Sequence, residues 1–271
     1  MIDTQPLALE TPPLALAEIA PPPGLEDDAA LARHIAEHAG AILVAARASS
    51  LFTGTALGRA GDRVANTFIM EALRHNRPDD AILSEEERDS DARLSAQRVW
   101  IVDPLDGTRE YGEGRDDWAV HVALAIDGEP LIGAVALPAV ALTLCSARPN
   151  ALCDAPARLR MLVSRSRPAA EALAVAEALD AELIPMGSAG AKAMAVVRGQ
   201  ADIYLHTGGQ YEWDNCAPAA VARAAGLHVS RADGSPLVYN CANTYLPDLL
   251  ICRPELASPV LDAYARFTAG R

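Results

Sequence analysis

Apolar positions recur at two different periods along this chain, and the change of period divides it. From about residue 27 to residue 48 they return every three or four positions, as on one face of a helix. The glycine-rich residues 54–61 read as a break, and a second helix is expected to open at Asp62. Val64, Ala65, Phe68, Ile69, Ala72 and Leu73 line one side of it, and Pro78 stops it. Ala81-Ile82-Leu83 predicts a short strand running into Ser84-Glu85-Glu86-Glu87, and Val99 to Val102 a buried strand. Strands are also expected at residues 118–126, 131–137 and 142–147. Tight turns at Asp127-Gly128 and Pro138 make these an antiparallel meander. Further on, strands at 159–164, 182–186, 201–206 and 249–252 alternate with helices at 169–179, 189–198, 214–225 and 259–267. An antiparallel part followed by alternating elements predicts an α/β, layered α+β, sandwich. Residues 27–271 are expected to form a single domain with halves 27–150 and 151–271.

Composition narrows this picture. Residues 1–26 carry Pro6, Pro12, Pro13 and Pro21-Pro22-Pro23-Gly24, which break regular elements and predict a flexible arm. The chain is 51% hydrophobic but only 4% aromatic, so alanine, leucine and valine must fill the core. A formal net charge of −13 argues against a nucleic-acid polymer as partner. It leaves room for a small anionic substrate, because bound metal reverses a local field. The five cysteines, Cys145, Cys153, Cys216, Cys241 and Cys252, form no CxxC pair and suit reduced thiols. No apolar run reaches membrane-spanning length, and Asp3 and Glu10 stand where a signal peptide would be basic and apolar. A cytoplasmic protein without membrane partners is expected.

The most informative segment is Trp100-Ile101-Val102-Asp103-Pro104-Leu105-Asp106-Gly107-Thr108. A buried strand ends in two carboxylates three residues apart, with a stiffening proline between them. A glycine and a hydroxyl follow, and the glycine lets backbone come close to a ligand. Such an acidic strand end suits hard divalent cations and a phosphate bridging them. A polar strand-to-loop turn is the plainer alternative. Glu85 and Glu86 follow a second apolar strand, Asp62 stands at an expected helix start, and Asp214 opens another helix. Singly, Asp62 and Asp214 suit helix caps, and Glu85 to Glu87 a solvated turn. Together they lie on the strand and helix ends where layered α/β folds assemble ligand sites. So many carboxylates repel one another and raise each other's pKa unless cations intervene. Two Mg²⁺ ions offset four of these charges and a third offsets two more. With Asp103 shared by two ions, Thr108 can orient an attacking water and Asp62 can accept its proton.

The motifs Ser84-Glu85-Glu86, Asp103-Pro104-Leu105-Asp106-Gly107-Thr108 and Glu212-Trp213-Asp214 resemble those of the Mg²⁺-dependent, lithium-sensitive inositol monophosphatase superfamily. The resemblance runs from about residue 28 to 268. It is closest to the 3′(2′),5′-bisphosphate nucleotidases of the CysQ type in their actinobacterial form. Arg109-Glu110-Tyr111, Gly114-Arg115-Asp116-Asp117-Trp118 and Gly187-Ser188-Ala189-Gly190-Ala191-Lys192 carry that closer match. The resemblance implies an αβαβα sandwich, usually a homodimer. It implies a first Mg²⁺ on Glu85, Asp103 and the Leu105 carbonyl, and a second on Asp103, Asp106 and Asp214. A third, weaker ion would lie near Glu85 and Asp62. Leu105, Asp106, Gly107 and Thr108 would cradle the scissile phosphate, with Asp62 and Thr108 as the water-activating pair. Lys192 or Arg109, with Ser188 at a helix start, would hold a second phosphate; a helix cap plus a surface lysine is the structural alternative. The implied reaction releases the 3′-phosphate of 3′-phosphoadenosine 5′-phosphate, giving AMP, or of its 5′-phosphosulfate analogue. The family's Thr-x-x-Asp segment is replaced here by Leu57-Gly58-Arg59-Ala60-Gly61-Asp62, and only Asp62 and Asn66 keep their spacing.

Other readings compete. Inositol monophosphate or fructose 1,6-bisphosphate would be the substrate of a sister enzyme, although inositol phosphatases typically place Asn where this chain has Arg109. The proline-rich arm raises a nucleoside monophosphate as a third substrate. A non-enzymatic phosphate sensor would not need every metal acid, and all are present. His34-Ile35-Ala36-Glu37-His38 matches the inverted zinc-peptidase motif H-x-x-E-H. With no third ligand evident downstream, an amphipathic helix with polar residues toward water is the better explanation.

Overall fold

The computed structural model describes residues 25–152 and 158–270. The arm expected over residues 1–26 lies, up to residue 24, outside the described residues, as does Cys153. The chain opens with helices α1 (Leu25–Ala48) and α2 (Gly54–Asn76). Strands β1 (Ala81–Ser84) and β2 (Arg98–Asp106) follow, then the short helix α3 (Thr108–Gly112) and strands β3 (Ala119–Ile126), β4 (Glu129–Leu137) and β5 (Leu142–Cys145). The second half runs β6 (Arg160–Ser164), α4 (Ala170–Ala178), β7 (Glu182–Met186), α5 (Ala189–Val197), β8 (Ile203–His206), β9 (Gln210–Tyr211) and α6 (Glu212–Ala224). It ends with β10 (His228–Ser230), β11 (Tyr245–Leu246), β12 (Leu249–Cys252) and α7 (Ala257–Ala269).

Two five-stranded sheets carry the fold, ordered β1-β2-β3-β4-β5 and β10-β12-β8-β6-β7. The first is the expected meander, antiparallel except for the parallel pair β1–β2. On one of its faces α1 and α2 bury Ile35, Leu43, Ile69 and Leu73 against Trp100, Val102, Val120 and Val122. On the other, Ile101, Ala123 and Val135 meet Met194 and Val221 of α5 and α6. The same two helices cover Leu162, Tyr204 and Ile251 of the second sheet, and α4 and α7 close its far face over Met161, Ile203 and Leu250. The result is the helix–sheet–helix–sheet–helix sandwich that the family resemblance implied. Val99 to Val102 reads as an unbroken apolar run because both faces of β2 are covered. The middle layer is alanine-rich because the sheets press on it: a Cβ at Gly133 of β4 would lie 2.5 Å from the Ala217 carbonyl oxygen.

One boundary differs from expectation in a way that matters. Helix α2 starts at Gly54, so residues 54–61 are helix and not a break, and Asp62 sits in its third turn rather than at its start. The glycines are there for packing. A Cβ at Gly58 would lie 2.7 Å from Thr108 Cγ2, and one at Gly61 would crowd Tyr111, Leu105 and Leu43 at about 3 Å. Helix propensity lost at these positions is recovered by bringing α2 against β2 and α3.

Candidate metal centre and active site

Register brings the first acids together. Ser84 of β1 lies opposite Val102 of β2, so Glu85 and Asp103 leave the sheet side by side. The Glu85 N–H donates to the Val102 carbonyl at 3.3 Å. Asn66 of α2 accepts from Ser84 Oγ at 2.8 Å and donates to Glu87 at 3.1 Å, which fixes the acidic turn against the helix. Between Asp103 and Asp106 the register with β3 shifts. Residues three apart on a regular strand face opposite ways, and this irregularity turns both carboxylates into one pocket. Asp214 arrives from the other half as the third residue of α6, its Oδ2 accepting the Tyr211 N–H at 2.6 Å. Cap and candidate ligand are therefore the same side chain. Oxygens of Asp103, Asp106 and Asp214 all lie within 4.8 Å of one another.

The charges of this cluster are unequal. Burial, reinforced by Glu85, Asp106 and Asp214, pushes the Asp103 carboxyl well above its usual range. Burial and then Asp214 push Glu85 to about 7, against the hydrogen bond it shares with Asp103. Burial and then Asp106 push Asp214 to about 6. Asp106 goes the other way. Burial works against its charge, but His121, Ser188 and the Gly190 N–H outweigh it and hold the carboxyl near 2. Its oxygens accept from Ser188 Oγ, from the Ala189 N–H at 3.1 Å and from the Gly190 N–H at 2.6 Å. His121, fully buried, places Nε2 3.3 Å from Asp106 and Nδ1 3.0 Å from the Trp213 carbonyl. Burial disfavours the charged ring, yet Asp106 raises its pKa overall. A Cβ at Gly190 would lie 2.0 Å from His121 Nε2, so only glycine allows α5 this close.

Beside the cluster stands a second pair. Thr108 Oγ1 lies 3.2 Å from Asp62 Oδ1 and 3.1 Å from the Leu105 carbonyl, and its single proton serves one acceptor at a time. Burial and then Glu86 push Asp62 to about 7, against the Thr108 hydrogen bond. Gly107 has φ +88° and a Cβ there would crowd Ser188 and Trp118, so the turn between β2 and α3 requires glycine.

Some predicted roles meet a different geometry. The Leu105 N–H donates to Asp103 Oδ1 at 3.0 Å, so it braces that carboxylate instead of facing a phosphate. Lys192 is not a surface lysine: it is 5% exposed, with Nζ on the Gly187 and Ser188 carbonyls and over the Tyr204 ring. Ser188 caps α5, accepting the Ala191 N–H, while donating to Asp106. Arg109 is exposed and bound to Glu113 at 2.8 Å. It lines, with Thr108 and Arg59, a cavity of about 440 Å³. His121 escaped the sequence reading, although a lone imidazole in the apolar run of β3 was its signal. At His34 and His38 the rings pack together, His38 bonds the His34 carbonyl, and Glu37 is held by Arg33 at 2.7 Å. Among the described residues the only grouping of His, Cys, Asp and Glu suited to a metal is Asp103, Asp106 and Asp214.

Three clustered carboxylates, two of them buried, form an all-oxygen donor set that fits a hard dication and is costly without one. A layered sandwich with such a cluster at the end of β2 and the start of α6 is the setting of a metal-dependent phosphatase. The inositol monophosphatase family profile matches residues 29–260. The chain is 51% identical over 238 residues to a 3′-phosphoadenosine 5′-phosphate phosphatase of Mycobacterium tuberculosis, covering 84% of this chain and 89% of that one. It is 33% identical to the 3′(2′),5′-bisphosphate nucleotidase CysQ of Escherichia coli, over 69% of this chain and 81% of the relative. The crystal structure of CysQ from Bacteroides thetaiotaomicron superposes with a TM-score of 0.76 at 26% identity, covering 84% and 98% of the two chains. The chain belongs to the inositol monophosphatase family.

Proposed function

We propose that this protein is a Mg²⁺-dependent phosphomonoesterase that removes the 3′-phosphate of 3′-phosphoadenosine 5′-phosphate, giving AMP, and of its 5′-phosphosulfate analogue. The observation that carries the chemistry is the convergence of Asp103, Asp106 and Asp214 from two halves of the chain. The name borne by relatives identical at about half their positions supports the substrate.

In this reading Glu85, Asp103 and the Leu105 carbonyl would hold one Mg²⁺, and Asp103, Asp106 and Asp214 would hold a second. Glu85 and Asp62 border a third, weaker site. The ions supply a clamp on the scissile phosphate and make an attacking water more acidic. The protein supplies the rest. Gly107 and Thr108 bring backbone close to the phosphate. Thr108 Oγ1 orients the water, and Asp62, with a pKa near 7, takes its proton at Oδ1. The water oxygen bonds to phosphorus as the bond to the 3′-oxygen breaks, and that oxygen takes a proton from solvent water while Asp62 gives back to solvent the one it accepted. Asp106 stays ionised throughout, because His121 and the start of α5 hold it so. Residues 27–271 act as one catalytic domain, a cytoplasmic homodimer in this reading; gel filtration checks the dimer.

A phosphate-release panel with Mg²⁺ tests the substrate. Adenosine 3′,5′-bisphosphate should outrun AMP, inositol 1-phosphate and fructose 1,6-bisphosphate, and Li⁺ should inhibit. Faster turnover of inositol 1-phosphate than of the bisphosphate would overturn the assignment.

A further inference from the structure

Of the two cations suggested for the remote half of the substrate, Lys192 is buried on carbonyls, and Arg109 is exposed and paired with Glu113. An aromatic cluster stands next to the metal acids instead. Strands β9 and β11 form a separate two-stranded ribbon in which Tyr211 pairs with Tyr245. Tyr211 stacks on Trp213 with centroids 4.9 Å apart and planes 10° from parallel. Tyr245 meets Tyr211 edge-on at 5.9 Å. Tyr211 and Tyr245 remain 47% and 46% exposed. In a chain with 3 tryptophans, 6 tyrosines and 3 phenylalanines, leaving two such rings half in water forfeits scarce apolar burial.

The cluster is tied to the centre at both ends. The Tyr211 N–H donates to Asp214, and the Trp213 carbonyl accepts from His121, which contacts Asp106. The backbone that carries Tyr211 and Trp213 is therefore fixed to Asp214 and, through His121, to Asp106. We propose that Tyr211, Trp213 and Tyr245 form a stacking platform for the nucleobase of the substrate. A neutral ring system suits this place, because the surrounding carboxylates repel a further anion while a base offers a π-face to any aromatic ring. The platform deepens the proposed function and rests on it for the identity of the base as adenine.

The test compares wild type with Tyr211→Ala, Tyr211→Phe and Tyr245→Ala. Kinetics are read on adenosine 3′,5′-bisphosphate and on base-free inositol 1-phosphate, and AMP binding is read by calorimetry. Tyr211→Ala should lower kcat/KM for the nucleotide about tenfold more than for inositol 1-phosphate, mainly through KM, and weaken AMP by a similar factor. Tyr245→Ala should do less, and Tyr211→Phe should keep the wild-type ratio. Equal losses on both substrates, with AMP affinity unchanged, overturn the platform. So does a change of oligomeric state in Tyr211→Ala with the substrate ratio intact. A wild type that binds AMP through Tyr211 yet hydrolyses no bisphosphate overturns the substrate assignment alone.

Discussion

Strand β2 carries charge at both ends, and the two ends are built on opposite rules. At its start Arg98 forms two hydrogen bonds to Asp80, at 2.8 and 2.9 Å, and one to Asp28 at 2.9 Å. Arg77 takes the other Asp28 oxygen at 2.6 Å, and Trp100 Nε1 adds a bond to Asp80. Elsewhere Asp202 is held by Arg160 and Asp248 by Arg231. At each of these places a buried or half-buried carboxylate is met by an arginine, whereas the fully buried Glu212 is met by the N–H groups of Asn240 and Cys241. At the far end of β2, Asp103 and its neighbours Glu85 and Asp214 face mainly one another, and burial raises all three pKa values. Buried acids are rare unless paired or metal-bound. The contrast separates carboxylates paired with arginine from carboxylates crowded against one another, and the proposed function assigns the second group to cations.

Four changes sharpen that contrast. Asp103→Asn should cut turnover by roughly three orders of magnitude or more, while the melting temperature of the metal-free protein stays level or rises, since a buried repulsion is removed. Phosphate-release kinetics beside thermal unfolding read both. Turnover within about threefold of wild type would erase the distinction between the two ends. Asp62→Asn should slow turnover about a hundredfold with little effect on substrate binding, as expected for loss of a proton acceptor; a change confined to KM would deny it that role. Arg98→Ala should do the reverse, costing on the order of 2–4 kcal/mol in denaturant unfolding while the folded fraction keeps its kcat, because Asp28 and Asp80 lose a partner. The smallest effect is in pH. Asp62 and Glu85 have folded pKa values near 7 and Asp214 near 6, all above their ordinary values of 3.8 to 4.5. The folded protein thus binds more protons than the unfolded chain between about pH 4 and 7. That stabilisation is complete below pH 4 and lost as pH rises through 7. The metal-free melting temperature should fall by several degrees from pH 5 to 8, and Mg²⁺ should restore more at pH 8 than at pH 5. A level profile without Mg²⁺ would show that the acids are not crowded.

Much of this was legible in the sequence, and the failures have physical causes. A layered sandwich was readable because apolar runs covered on both faces differ from amphipathic helices, while the five-layer order came from the family resemblance. That Asp103, Asp106 and Asp214 converge was readable because each ends a strand or opens a helix. Asp62 misled because Gly54, Gly58 and Gly61 look like chain breakers, and only the closeness of Thr108 and Tyr111 shows them to be contact points. Lys192 misled because a charge near a helix start looks like an anion anchor, while its carbonyl partners come from the loop that β7 delivers. His121 and the Tyr211–Tyr245 pairing depend on contacts across 92 and 34 positions, and local pattern holds no trace of such distances.

The most direct measurement is anomalous scattering from a crystal soaked in Mn²⁺ as a stand-in for Mg²⁺. The expected map holds at least two peaks, with Asp103 oxygens within about 2.5 Å of both and Asp106 and Asp214 on one of them. A map without a peak at Asp103, in protein that still releases phosphate, would contradict the shared-cation centre.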